Sequence, residues 1–182
     1  MLTDRRALHL FAAVLLCLEV TGCSSGSKES KAVPPQYTDR GELPSTTLPY
    51  VEMSHPAAPS AIVKDISGTV EAGSWRWTGE HPTLKVNVPD VQGWRLVARY
   101  AVSEVTFRKT GPVKITYAVN GKDLGTEIIK TPGDRVFNQP VDAAILKTGE
   151  NIISIHVHNF WTSPTDGAKL GIILTGAGLI RQ

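Results

Sequence analysis

Apolar and polar residues alternate with a period of two along the C-terminal part of this chain. Leu84, Val86 and Val88 alternate with Thr83, Lys85 and Asn87, and Val113, Ile115, Tyr117 and Val119 alternate with Lys114, Thr116 and Ala118. This is the pattern of strands with one face buried and one face wet. Leu96 to Val102, Thr126 to Lys130, Ile152 to His158 and Leu170 to Leu174 add four further predicted strands. Turn chemistry separates them at Asn120-Gly121, Pro132-Gly133, Thr148-Gly149 and Asp166-Gly167. Val141 to Lys147 reads as a short helical turn or a loop. No stretch sustains a helical period over three turns. Short antiparallel strands with turns between them predict an all-β chain built as a β-sandwich or jelly roll over residues 61–182.

The beginning of the chain follows a different pattern. Arg5 and Arg6 precede an almost wholly apolar run from Leu8 to Leu18, too short to span a bilayer but suited to the core of a signal peptide. Val20-Thr21-Gly22-Cys23 closes that run and resembles the lipobox of bacterial lipoproteins. The resemblance implies removal of residues 1–22 and acylation of Cys23. The only other cysteine, Cys17, lies in the segment to be removed, so the mature chain can form no internal disulfide and acylation consumes the remaining thiol. The expected location is the cell envelope, with the protein lipid-anchored on the periplasmic side. Ser24 after the cysteine favours the outer membrane over the inner one.

Residues 23–60 read as a tether. Prolines 34, 35, 44, 49, 56 and 59 make up half of the chain's 12, and each fixes its own φ and lacks an amide donor. Leu48 to Met53 is the most apolar stretch in this region, and a partner-binding role for it is the alternative to a plain spacer.

Tyr117-Ala118-Val119-Asn120-Gly121 and the later Leu146-Lys147-Thr148-Gly149-Glu150-Asn151 corner, which launches Ile152 to Ile155, resemble the second half of a galactose-binding-like β-sandwich. Trp75-Arg76-Trp77-Thr78-Gly79 and Asp166 to Ile172 fit the same resemblance. It implies a module of bacterial envelope or polysaccharide proteins. Fold alone does not carry a ligand across.

The candidate chemistry is sparse. Trp75 and Trp77 fall on one face of an extended segment, with Arg76 on the other. Two uses compete for the indoles: sealing the core, or stacking on the C–H faces of a sugar. Trp161 precedes Thr162-Ser163-Pro164, where a strand runs out into a loop, and Trp75, Arg76, Trp77 and Trp161 are the predicted ligand contacts. His156 and His158 share a strand face, but a metal site needs a third ligand. His81 and Glu80 could serve only if the fold brought them in, so no metal and no cofactor is predicted. Asp65, Asp134 and Asp166 read as turn residues.

The predicted folded domain, residues 61–182, contains no Gly-x-Ser-x-Gly elbow, no standout carboxylate pair and no phosphate-binding glycine loop, so no enzyme is predicted. A formal charge of +2, with basic residues scattered among 17 acids, forms no stripe suited to nucleic acid. The predicted function is a non-catalytic carbohydrate-binding or accessory module at the cell envelope. The alternative is a protein-interaction or assembly lipoprotein with no glycan binding.

Overall fold

The computed structural model describes residues 48–182. The predicted signal peptide, Cys23 and the tether up to residue 47 lie outside the described residues. The elements in chain order are β1 (Tyr50–Glu52), α1 (Ala58–Ala61), β2 (Ile62–Ile66), β3 (Arg76–Val88), β4 (Trp94–Val102), α2 (Glu104–Thr110), β5 (Val113–Val119), β6 (Lys122–Ile129), β7 (Gly133–Pro140), β8 (Gly149–Val157), β9 (Trp161–Thr162), β10 (Lys169–Leu170) and β11 (Ile173–Arg181).

Every strand pairing is antiparallel. One face of the sandwich has the order β2-β3-β8-β5-β6, and the other places β11 beside β4 and β4 beside β7. Tyr117 of β5 stacks on Phe137 of β7 with ring centroids 3.7 Å apart, so the two sheets meet across a shared core. Tyr100 of β4 and Tyr117 both donate to the same Glu127 oxygen, each at 3.0 Å, which satisfies a carboxylate that faces inward from β6. Burial pushes both phenols well above their ordinary pKa, so they remain protonated donors. The predicted all-β sandwich is therefore present, and the inward residues of the alternating runs (Leu84, Val86, Ile115, Ile153 and Ile155) form its centre.

The corner motifs work as their sequences suggest. Asn120 and Gly121 both take positive φ, 49° and 77°, which suits the two-residue turn between β5 and β6. Asn151 is completely buried and fully bonded. It donates to the carbonyls of Lys147 and Gly149, and accepts from the Lys147 amide and the Asn120 side chain. A buried amide with every group paired fixes the corner that starts β8.

Three sequence expectations change. The sandwich begins before residue 61: β1 pairs with β11, and Val51 and Met53 are buried in the core. Burying two such side chains contributes roughly 1.5–3 kcal/mol each, enough to recruit a short strand despite its flanking prolines. The last strand is Ile173–Arg181 rather than Leu170 to Leu174, with Leu170 ending a separate two-stranded hairpin. β7 was not anticipated, because Phe137 is its only buried side chain and Val136 faces solvent.

β3 belongs to both faces of the sandwich. Its first residues, Arg76 and Trp77, pair with Leu174 and Ile173 of β11, whereas Thr83 to Val88 pair with β8. Between the pairs Ile66↔Thr78 and Lys64↔Thr83, Asp65 alone faces Gly79, Glu80, His81 and Pro82. Such a bulge lets one strand turn a corner between sheets, and it re-aims the side chains it carries.

Candidate functional site

Along β3 the even positions Arg76, Thr78, Leu84, Val86 and Val88 are buried, while Trp77, His81 and Lys85, and Trp75 just before the strand, are half-buried. The predicted geometry, two indoles on one face and Arg76 on the other, is therefore present with the faces reversed from a core-sealing arrangement. Arg76 is 3% exposed, so it cannot contact a ligand as expected from sequence. Its Nε donates to the Met53 carbonyl at 2.9 Å, and its Nη1 donates to the carbonyls of Ser67 (3.0 Å) and Gly68. A buried guanidinium is tolerated here because backbone carbonyls at the end of β1 and in the β2–β3 loop replace its hydration.

Trp77 lines an open cleft of about 600 Å³. The end of β2 supplies Asp65 and Ser67, and the β9–β10 hairpin supplies Ser163, Asp166 and Lys169. The hairpin can approach β3 because residue 171 is glycine: a Cβ there would stand 2.5 Å from the Gly79 carbonyl. Gly171 N–H donates to the Thr78 carbonyl at 2.7 Å, and Ile172 N–H donates to the Thr78 hydroxyl at 3.1 Å, which fixes this wall. Asp166 accepts from Ala168 N–H at 3.1 Å. A hydrogen bond from Ser163, then the Ala168 amide, holds its carboxyl below the usual carboxylate range. It is a turn residue, as predicted, and it also lines the cleft.

Trp75 stands edge-on to Trp77, with centroids 5.5 Å apart and planes at 89°, so it buttresses the indole that borders the cleft. Trp161 is half-buried on β9 directly opposite Leu170 and does not line the cleft. Of the four predicted contacts, the fold sets Trp77 on the cleft with Trp75 against it, turns Arg76 inward and keeps Trp161 out of the cleft lining.

A second depression of about 640 Å³ lies on the outer face of β3, β8, β5 and β6. It is lined by Lys64, Lys114, Thr116, His81, His156 and His158, among others. Three imidazoles follow one another across it, with centroids 4.4 Å apart for His81 and His156 and 3.8 Å for His156 and His158. The Thr116 hydroxyl lies 3.0 Å from His158 Nε2 and 3.0 Å from the Thr126 hydroxyl. Burial, then the neighbouring His158 and His81, holds His156 below the usual imidazole value, and Glu80 opposes that shift.

Sequence spacing brought out His156 and His158, and the structure adds what it could not show. The bulge places Glu80 Oε1 3.5 Å from His81 Nε2 and 3.9 Å from His156 Nε2. The signal in the sequence was Gly79 and Pro82 inside a strand pattern, which marks an interruption of regular pairing.

No protein-family model matches the chain, and no curated protein matches it. Solved structures do. A family 35 carbohydrate binding module from an environmental isolate is 14% identical, with a TM-score of 0.48 over 73% of this chain and 96% of that one. The CBM35 of Abf62 from Cellvibrio japonicus is 13% identical, with a TM-score of 0.43 over 72% of this chain and 91% of that one. A family 35 module from Clostridium thermocellum is 17% identical, with a TM-score of 0.40 over 69% and 95%.

Proposed function

We propose that this protein is a non-catalytic carbohydrate-binding module, held at the bacterial cell envelope by acylated Cys23, that takes a cell-surface saccharide in the cleft beside Trp77. The observation that carries this reading is Trp77 itself. It sits on the wet face of β3, braced by Trp75, and borders a cleft with carboxylates, hydroxyls and an ammonium on its walls. A sugar offers an apolar C–H face to an indole and hydroxyls to Asp65, Asp166 and Lys169, so this mixture suits it. The lipobox-like Val20-Thr21-Gly22-Cys23 and the proline-rich residues after it support a tethered position at the outer membrane, within reach of such polymers.

Two experiments test the two halves. Mass spectrometry of the membrane fraction is expected to find an acylated N-terminal Cys23, and a free thiol there would overturn the anchor. Pulldown with oligosaccharides released from bacterial surface polysaccharide is expected to retain the protein, and equal retention of Trp77→Ala would overturn the cleft.

A protein-binding role is the second reading, favoured by the edge strands. Ile128 on β6 and Val136 on β7 are 61% and 59% exposed, and each strand ends its sheet. One stoichiometric envelope protein, co-purifying with the wild-type chain and lost on Val136→Lys or Ile128→Lys, would favour this role over glycan binding.

A further inference from the structure

We propose that Glu80, His81 and His156 form a binding site for one divalent transition-metal ion of the zinc class, with a fourth coordination position open to solvent. The ligand atoms of the three side chains all lie within 4.8 Å of one another. Glu80 Oε1 already stands 3.5 Å and 3.9 Å from the two Nε2 atoms. Zinc bonds of about 2.0–2.2 Å in tetrahedral geometry place ligand atoms roughly 3.3–3.5 Å apart, so the two Glu80 pairs are already near that spacing and the two imidazoles need to draw together by at most about 1.5 Å. Two imidazoles and one carboxylate are a borderline donor set. It suits zinc, cobalt, nickel or copper rather than calcium or magnesium, which take oxygen ligands.

The backbone is shaped to make this set. In a regular strand, residues 80 and 81 would point to opposite faces. The bulge places both beside His156, which lies across from His81 in the register that pairs Thr83 with Ser154. Asp65 holds the bulge by accepting His81 N–H at 2.9 Å, and it does so with φ at 55°, a conformation that non-glycine residues seldom adopt. The other oxygen of Glu80 is taken by Lys169 Nζ at 3.2 Å. That contact orients the carboxylate so that Oε1 faces the imidazoles, the role an outer-shell partner plays in metal sites. The three side chains remain partly exposed, which gives an ion a way in.

The test is calorimetric titration of Zn²⁺, together with the visible spectrum of Co²⁺, on the full tag-free chain carrying Cys17→Ser and Cys23→Ser so that no thiol competes. One ion per chain is expected. His81→Ala and His156→Ala should each weaken binding by more than the roughly 10–100-fold that loss of an outer-shell partner costs. His158→Ala and His55→Ala should leave it within about threefold, because His158 Nε2 is engaged by Thr116 and His55 is not part of the cluster. Thermal melts in chelator establish that each variant is folded, and Glu80→Gln replaces any that is not. Absence of saturable uptake, binding that survives both His81→Ala and His156→Ala, or equal loss on His158→Ala would each overturn the site.

Discussion

Asp65 accepts the backbone N–H of His81 at 2.9 Å, so a single side chain on β2 spans the bulge in β3. The Cβ position of Gly79 would come 3.4 Å from the same carboxyl group, so the two strands also meet closely here. Both depressions on the outer surface depend on this contact, since Asp65 and Gly79 line the Trp77 cleft and His81 lines the imidazole depression.

Replacing Asp65 with alanine removes the acceptor and leaves a β-carbon at φ 55°. The expected cost is about 1 kcal/mol, since the bond is solvent-exposed and the left-handed conformation disfavours alanine. Asparagine keeps an acceptor and tolerates that conformation, so Asp65→Asn should stay close to wild type. Urea melts of the two variants check this, and equal stability of both would show that the carboxylate does not hold the bulge.

Arg76→Ala should be far more costly. It strips three backbone carbonyls of their donor and leaves a void between β1 and the β2–β3 loop. Together these effects amount to about 3 kcal/mol or more. Hydrogen exchange adds a local readout: the Met53 amide, bonded to the Thr175 carbonyl at 2.8 Å, should lose protection as β1 loosens. A ligand-contact role for Arg76 would instead leave stability unchanged and abolish binding.

His156 should titrate below the ordinary imidazole value of 6.5 in metal-free protein. Burial acts first, followed by the charges of His158 and His81, with Lys114 in the same direction and Glu80 against it. The sign for stability follows from linkage. A base whose folded pKa is depressed takes up its proton more readily in the unfolded chain, so stability is full above 6.5 and falls as pH drops from there towards the folded value. Heteronuclear NMR of the imidazole in chelator measures the midpoint. His158→Ala should raise it, and an unchanged or lower midpoint in that variant would contradict the assigned cause.

Residues Leu84 to Val88 and Val113 to Val119 announced the sandwich because period-two alternation is what a sheet with one buried face requires. Asn120-Gly121 and Asn151 announced its corners because few residues adopt those conformations or bonds. β1 was hidden by Pro49 and Pro56 on either side of it. α2 was hidden by its length, since seven residues cannot display a helical period, although Ser103 caps it through Val105 N–H. The site was half legible. The two-residue spacing of Trp75 and Trp77 fixed their common face, but nothing in the spacing said which face was wet. Charge normally stays outside, and the burial of Arg76 among carbonyls depends on loops distant in sequence. The bulge that gathers Glu80, His81 and His156 depends in turn on Asp65, a residue 15 positions before Glu80.

The account rests most heavily on Trp77 as the wall of a saccharide site, and the indole N–H signals of the protein test that directly. Titration with oligosaccharides from bacterial surface polysaccharide should shift the Trp77 signal. Trp94 should remain still, because its Nε1 donates to the Asp90 carbonyl at 2.9 Å in a buried position away from the cleft. Trp77→Ala should weaken binding roughly tenfold or more, about 1.4 kcal/mol, with the remaining spectrum unchanged. Saccharide binding that moves other indoles and leaves Trp77 unperturbed, or no binding across the panel, would contradict it.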